Sequence, residues 1–326
     1  MTYNPCRILI VRLSALGDIV FTTSLLEALR VAYPQAHLAW IAQSTFAGIL
    51  RDDPRLDELI VIEKSVLGSP MGLLALRRKL RAKKFDLVID AQGTLKSNVI
   101  STLAGSERIG FAAKKVGKVL LRRAIPKGGD IRDISSEYRF LAQTITGLSA
   151  SPPSLVVDDV RQQEVALEMQ KNGINPGFVA LCPFTTRPEK HWIAGNWPKL
   201  AQLLSAEGMQ CVLFGGPGNV EASREMAAEP ASFVNLTGQT KLESLPAWFS
   251  MAGLVIGVDT GLTHIGVAVK RPVVALFGAT RPYTQGTNSP LKVLLDPPRD
   301  EHWECMNGLT PQMVLQAARN MREIVV

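Results

Sequence analysis

"LVIGVDTGLTHIGVAVKRPVVALFG", residues 254–278, places two short apolar runs on either side of a corner and a helical pattern. LVIGV is a continuous, β-branched stretch of the kind that forms a buried strand, and VVALFG is a second one. Between them, LTHIGVAV carries apolar residues at helical spacing, and Asp259, Thr260 and Gly261 occupy the corner before it. Strand, helix, strand is the unit of a parallel sheet with crossover helices, and the corner lies at a strand's carboxyl end, where open α/β sheets bind ligands. Gly261 allows close approach of the backbone, and a helix start offers unpaired N–H groups with partial positive charge. A phosphate suits that corner. The other reading is that Asp259 or Thr260 caps the helix.

The same alternation extends outward in both directions. FVALCPF (178–184), CVLFGG (211–216) and FVNLTG (233–238) read as further strands of the second half. RILIV (7–11), HLAWIA (37–42), ELIVIE (58–63) and FDLVIDAQG (85–93) read as strands of the first, with a helix over IVFTTSLLEALRVAY (19–33). Around TGLSASPPSLVVDD (146–159) the periodicity fails and Ser, Pro and Gly collect, as in a linker. A chain of 326 residues exceeds the usual single-domain size. The expectation is therefore two α/β domains, residues 1–155 and 156–326, each Rossmann-like with a parallel sheet, facing each other across a cleft. No internal repeat or low-complexity tract is visible.

Hydrophobic residues make up 46% and charged residues 20%, an ordinary globular composition. The net charge of +7 is uneven: residues 1–150 carry 22 Lys/Arg against 13 Asp/Glu, and residues 151–326 carry 14 against 16. A basic first half points to an anionic partner or to a solvated basic face. Nucleic acid is disfavoured, because only 6% of residues are aromatic and neither basic run, RRKLRAKK (77–84) nor KKVGKVLLRRAIPK (114–127), contains one. The second run, with its interleaved leucines, reads as amphipathic, and both runs fit an anionic acceptor or anionic lipid. Cys6, Cys182, Cys211 and Cys305 are far apart, so neither a disulfide framework nor a zinc site is indicated. With no signal-peptide pattern and no apolar run of membrane-spanning length, a cytoplasmic location is expected.

Two more strand ends resemble the corner at 259–261. CPFTTRPEKHW (182–192) supplies Thr185, Thr186, Arg187 and Lys190, hydroxyls and cations that suit diphosphate oxygens. FGGPGN (214–219) adds a glycine-bearing turn. Three such corners in one domain indicate a nucleotide diphosphate site. In the first domain, RLSALGDIVFTT (12–23) sets Ser14, Gly17 and Asp18 between the first strand and the first helix. Asp18 is either the N-cap of that helix or a general base that takes a proton from an attacking hydroxyl. Lys96, in GTLKS, is a further cleft candidate. A hydrolase using Asp18 and Asp259 as its carboxylate pair would leave the phosphate-type corners without a purpose.

SALGDIVFT (14–22), DAQGTLKS (90–97), TTRPEKHW (185–192) and DTGLTH (259–264) together resemble the bacterial lipopolysaccharide heptosyltransferases, family 9 of the glycosyltransferases, in order and over nearly the whole chain. The patterns are nearest to those of the heptosyltransferase I type. The resemblance implies the GT-B architecture and a metal-independent, cofactor-free, inverting transfer of L-glycero-D-manno-heptose from ADP-heptose to a 3-deoxy-D-manno-octulosonic acid (Kdo) residue of lipid A. That reaction belongs to inner-core synthesis, peripherally at the cytoplasmic face of the inner membrane. Carried over by position, Asp18 is the catalytic base and Lys190 assists departure of the diphosphate. Thr185, Thr186, Lys190, Asp259, Thr260, Gly261 and Leu262 lie on the donor, and Ser14, Gly17 and Lys96 on the acceptor side. His264 completes the motif either as a donor contact or as a packed helix histidine. Two stretches depart from the family pattern: KSVLGSPMGLLAL (64–76) is neither strongly basic nor aromatic, and in GGPGNVEAS (215–223) either Asn219 or Glu221 takes the place of the acidic ribose ligand. The alternatives are heptosyltransferase II, another family 9 transferase with a different donor or acceptor, or a non-catalytic sugar-nucleotide-binding protein.

Overall fold

The structure, a computed structural model, describes residues 5–105, 107–112, 114–130, 133–228, 233–278, 280, 290–295 and 306–323. The chain divides into two compact units, Met1–Pro153 and Ser154–Val326. The N-terminal unit is built on strands β1 (Arg7–Val11), β2 (His37–Gln43), β3 (Glu58–Ile62), β4 (Leu87–Asp90), β5 (Arg108–Phe111) and β6 (Arg123–Ile125). They form one parallel sheet in the order β3-β2-β1-β4-β5-β6. The C-terminal unit contains β7 (Val179–Cys182), β8 (Cys211–Leu213), β9 (Phe233–Asn235), β10 (Leu254–Val258), β11 (Val273–Phe277) and β12 (Leu291–Leu295). Its parallel sheet runs β12-β11-β10-β7-β8-β9. Counted from its own first strand, each sheet has the doubly wound order 3-2-1-4-5-6. The winding reverses between β1 and β4 in one unit and between β7 and β10 in the other. Crevices at the carboxyl ends of those strand pairs are where such sheets take ligands.

The central strands are apolar at nearly every position because helices cover both faces of the sheet, so there is no solvent-facing side to alternate with. β7, β10 and β11 are buried throughout, and β1 from Ile8 onward. One face of the N-terminal sheet packs Leu9, Val11, Ala39 and Val88 against Leu76, Leu80 and Ile100. In the C-terminal unit, Leu181, Ile256, Val258 and Leu276 meet Trp197, Leu200, Leu204 and Val314. Two glycines permit close contact at β10. A Cβ at Gly266 would stand 2.8 Å from the Val255 side chain, and one at Gly257 would stand 2.2 Å from Thr263 Oγ1. The helix Gly261–Ala268 therefore lies directly on its own strand.

Several sequence expectations shift. The first helix starts at Leu16, three residues earlier than expected, which puts Gly17 and Asp18 in its first turn and not in a loop. β5, β6 and β12 are strands beyond those expected from the sequence; β6 is three residues long with Arg123 and Ala124 exposed, whereas β12, LKVLL, is apolar at four of its five positions. The run 114–127 is not one amphipathic element: it forms the helix Lys114–Leu120 and then β6. Cys182 and Cys211 are buried free thiols and Cys6 is exposed, whereas Cys305 lies outside the described residues. Among the described residues no helix is long and apolar enough to cross a membrane.

Candidate active site

In the C-terminal unit, β7 and β10 run side by side with Cys182 opposite Gly257, so the chain segments that leave them emerge together. After β10, Thr260 is the extended N-cap of the helix Gly261–Ala268, and its side chain makes no capping hydrogen bond. The hydroxyl of Thr263 turns back to donate to the Val258 carbonyl at 2.7 Å. Asp259 does not cap either. Its carboxylate accepts from Lys190 Nζ at 2.6 Å, faces His264 Nε2 at 3.3 Å, and receives the Thr280 hydroxyl. The capping alternative is thereby replaced by an ionic cluster at the helix start.

The Asp259 and Lys190 side chains are 12% and 16% exposed. Burial opposes the charge on Asp259, but the hydrogen bond and charge of His264, with the hydrogen bonds of Lys190 and Thr280, outweigh it and hold the carboxyl far below its ordinary range. An ionised carboxylate has no proton to give a phosphate and repels it. What Asp259 does is fix the Lys190 ammonium, which spends one of its three N–H donors on the carboxylate.

Lys190 ends a single 3-10 turn, Pro188–Lys190, in the chain leaving β7. The stretch carrying it is closed by His191, whose Nε2 lies 2.9 Å from the Thr185 carbonyl oxygen. It is anchored by Trp192, whose indole N–H donates to the Leu309 carbonyl at 2.8 Å and whose ring meets Trp197 edge-on. Thr185 is half-buried and Thr186 exposed on this loop, and Arg187 pairs with Glu189. At the third corner, Asn219 Oδ1 accepts from the Gly216 amide at 3.2 Å and closes its own turn. Glu221 is exposed beside Arg224 at 3.3 Å on the same helix. Lys190, Asp259 and His264 are thus brought together; among the described residues no hydrogen bond or ion pair joins Asn219 or Glu221 to them.

In the N-terminal unit, β1 and β4 are neighbours with Val11 opposite Asp90. Arg12, just past β1, is buried and donates through Nη1 to the Ala91 carbonyl at 3.0 Å. Leu13 N donates to Gln92 Oε1 at 2.8 Å, so the two strand exits are tied together. The N-cap of the first helix is Ala15, not Asp18. Asp18 forms an ion pair with Arg12, accepts a 3.0 Å hydrogen bond from the Tyr138 hydroxyl, and makes a long 3.5 Å contact with the Ala15 amide. Asp90 is fully buried and shapes the DAQG turn, accepting from the amides of Gln92 and Gly93 at 2.9 Å and from Asn98 Nδ2 at 2.6 Å. Lys96 is exposed in the first turn of the helix Leu95–Ala104, and Ser14 is half-buried in the β1 exit. Among the described residues neither is hydrogen-bonded to Asp18.

A family model described as "Glycosyltransferase family 9 (heptosyltransferase)" matches residues 73–306. The chain belongs to glycosyltransferase family 9. It is 27% identical over 293 residues to lipopolysaccharide heptosyltransferase 1 of Salmonella typhimurium, spanning 85% of this chain and 89% of that protein. It is equally 27% identical over 305 residues to lipopolysaccharide heptosyltransferase 2 of Escherichia coli, spanning 85% and 84%. A solved structure of the E. coli heptosyltransferase WaaC with ADP superposes with a TM-score of 0.75 at 26% identity, covering 97% of this chain and 98% of that one. The α/β fold with two Rossmann-like units is the fold of this family 9 glycosyltransferase.

Four residues around the two clusters escape a reading of the sequence. Arg12 had a faint signal, a lone cation directly after an apolar strand. His191 lies inside a motif but draws no attention beside Lys190. Tyr138 and Thr280 reach their carboxylates across 120 and 21 residues, which no local spacing encodes.

Proposed function

We propose that this family 9 transferase moves L-glycero-D-manno-heptose from ADP-heptose to a Kdo residue of lipid A, with inversion and without a metal. The observation that carries this reading is the Lys190 ammonium, pinned by Asp259 beside the start of the helix Gly261–Ala268 at the winding reversal of the C-terminal sheet. A cation next to helix amides that neither Asp259 nor Thr260 caps is a built site for a diphosphate. In this unit Lys190, the hydroxyls of Thr185, Thr186 and Thr260, and the amides near Gly261 and Leu262 hold the two phosphates. Asp259 and His264 act behind Lys190, and Asn219 or Glu221 meets the ribose.

In the N-terminal unit, which takes the acceptor with Ser14, Gly17 and Lys96, Asp18 accepts the proton of the attacking hydroxyl. The hydroxyl oxygen bonds to the anomeric carbon, the bond from that carbon to the phosphate oxygen breaks, and the electron pair leaves with ADP. Positive groups on the leaving diphosphate stabilise the charge that grows there, which is the service a metal otherwise performs. ADP bound to a relative that is 26% identical over nearly the whole chain supports the donor.

The acceptor sits in an anionic membrane, and the helix Pro70–Ala82 offers a matching face. Met71 and Leu74 are 82% and 64% exposed on the side that also carries Arg78, with Arg77 and Lys79 exposed beside it. Such a face suits peripheral binding at the cytoplasmic leaflet. The second reading, a heptosyltransferase II, is supported by the equal identity to that enzyme. Incubation with ADP-heptose and either Kdo-lipid A or heptosyl-Kdo-lipid A, with ADP release as the readout, separates the two. Release with Kdo-lipid A supports the first reading. Release only with the heptosylated acceptor establishes the second, and release only from another nucleotide sugar refutes both.

A further inference from the structure

Two side-chain donors converge on Asp18 from distant parts of the N-terminal unit. Arg12 follows β1, and its guanidinium is held by the Ala91 carbonyl through Nη1 while Nη2 pairs with Asp18 Oδ2. Tyr138 comes from the helix Ser136–Thr146 and donates to Oδ1 at 3.0 Å. The Arg12 guanidinium also stands 5.5 Å from the centre of the Tyr138 ring, so the three groups form one closed arrangement. Phe21 and Phe111 each approach the Tyr138 ring with centroids 6.3 Å away, fixing the phenol from two sides.

Tyr138 is 2% exposed, and burial, with the charges of Asp18 and Glu137 added, pushes its hydroxyl above the ordinary tyrosine range. The phenol therefore keeps its proton and directs it at the carboxylate. A carboxylate oxygen accepts two hydrogen bonds. Oδ2 has Arg12 and the long Ala15 contact, whereas among the described residues Oδ1 has Tyr138 alone. The side chain is 39% exposed, and Oδ1, with one donor against two on Oδ2, is the oxygen with acceptor capacity to spare. Rotation about the Cβ–Cγ bond would break both contacts at once.

We infer that Arg12 and Tyr138 are positioning residues that lock the Asp18 carboxylate, and that Oδ1 is the oxygen that receives the proton of the acceptor hydroxyl. This inference rests on Asp18 as the base. The proton leaves the hydroxyl for Oδ1 as the new bond to the sugar forms and the diphosphate departs; Tyr138 keeps its own proton throughout. Neither residue touches the sugar.

Tyr138→Phe is the decisive variant, since it keeps the ring, its aromatic neighbours and the contact with Arg12 and deletes only the donor. The expected result is a fall in kcat of roughly 10- to 100-fold, the scale of a misplaced catalytic group. KM for donor and acceptor should stay within about twofold of wild type, consistent with a residue that acts through Asp18 and not on substrate. Arg12→Lys, which keeps the charge but loses the two-point fork, should show the same split. The control is Asp18→Ala with and without Tyr138→Phe, where the second change should slow turnover no further. If Asp18→Ala turns over like wild type, the base assignment itself falls. If Asp18→Ala is inactive while Tyr138→Phe keeps wild-type kcat, only the positioning role is overturned. A rise in KM alone, or independent losses in the double variant, also overturns it.

Discussion

Asp259→Asn removes one negative charge from a site where three donors converge, and the structure sets the size of the effect. The carboxylate receives Lys190 at 2.6 Å, His264 at 3.3 Å and the Thr280 hydroxyl, and only 12% of it is exposed. Hydrogen bonds to a charged group contribute about 1.5–3 kcal/mol each. The amide has one acceptor oxygen in place of two, and its NH2 opposes one of the donors. Loss of one charge-assisted bond and weakening of the others amounts to about 2–4 kcal/mol. For a unit of this size, about 2–4 °C per kcal/mol translates that into a drop of about 5–15 °C in the melting of the C-terminal unit. Scanning calorimetry at several pH values is the assay. The folded-state pKa of Asp259 lies below its ordinary 3.8, so its contribution is complete above that value and is lost as pH falls toward the folded-state pKa. The gap between wild type and variant should therefore be full at pH 7 and shrink as the medium is acidified below pH ~4. A difference under about 0.5 kcal/mol at pH 7, the range of ordinary surface substitutions, or one that widens on acidification, would refute this account of the cluster.

Three further outcomes are expected. Lys190→Ala should lower turnover by about 10²–10³-fold, the usual loss for one electrostatic donor on developing charge, and weaken ADP binding much less in calorimetric titration; equal losses would deny it a transition-state role. Gly266→Ala forces a methyl to within 2.8 Å of the Val255 side chain and should destabilise the C-terminal unit by about 1–3 kcal/mol in denaturant titrations, whereas an unchanged midpoint would mean that the helix has room to shift. Replacing Arg77, Arg78 and Lys79 with Glu should abolish sedimentation with anionic lipid vesicles at low salt and leave ADP binding intact; vesicle binding that persists would assign the contact to another face.

The middle of each sheet was legible because strands covered on both faces need apolar side chains at every position, which produces runs such as RILIV and LVIGV. The edge strands β6 and β12, and β5 next to β6, were not. β6 has three residues, two of them exposed, and nothing in RAI distinguishes a strand from a loop. Lys190 and the 259–264 corner were legible as separate motifs, since each lies at a strand end. Their union is a product of register: Cys182 pairs with Gly257, and that alignment brings the two exits together. The two alternatives for Asp18 were inseparable by sequence, because an acidic residue near a helix start serves equally as cap or base. The helix start removes the N-cap reading, since Ala15 holds that position and Asp18 lies in the first turn, and Tyr138 reaches the carboxylate from 120 residues away. For Asp259 the motif gives a place at the phosphate corner but not its partners Lys190, His264 and Thr280.

Arg12 and Asp18 follow β1, and Lys190 and the 259–264 corner follow β7 and β10, while Asn219 and Glu221 follow β8; the outer strands β3, β6, β9 and β12 carry none of these residues. Evolutionary change in specificity can therefore proceed by rewriting a handful of exit loops, with the scaffold left standing. On the proposed roles of the two units, new acceptors should arise through alterations following β1 and β4, and new donors through those following β7, β8 and β10. Each half of the molecule can drift along its own course.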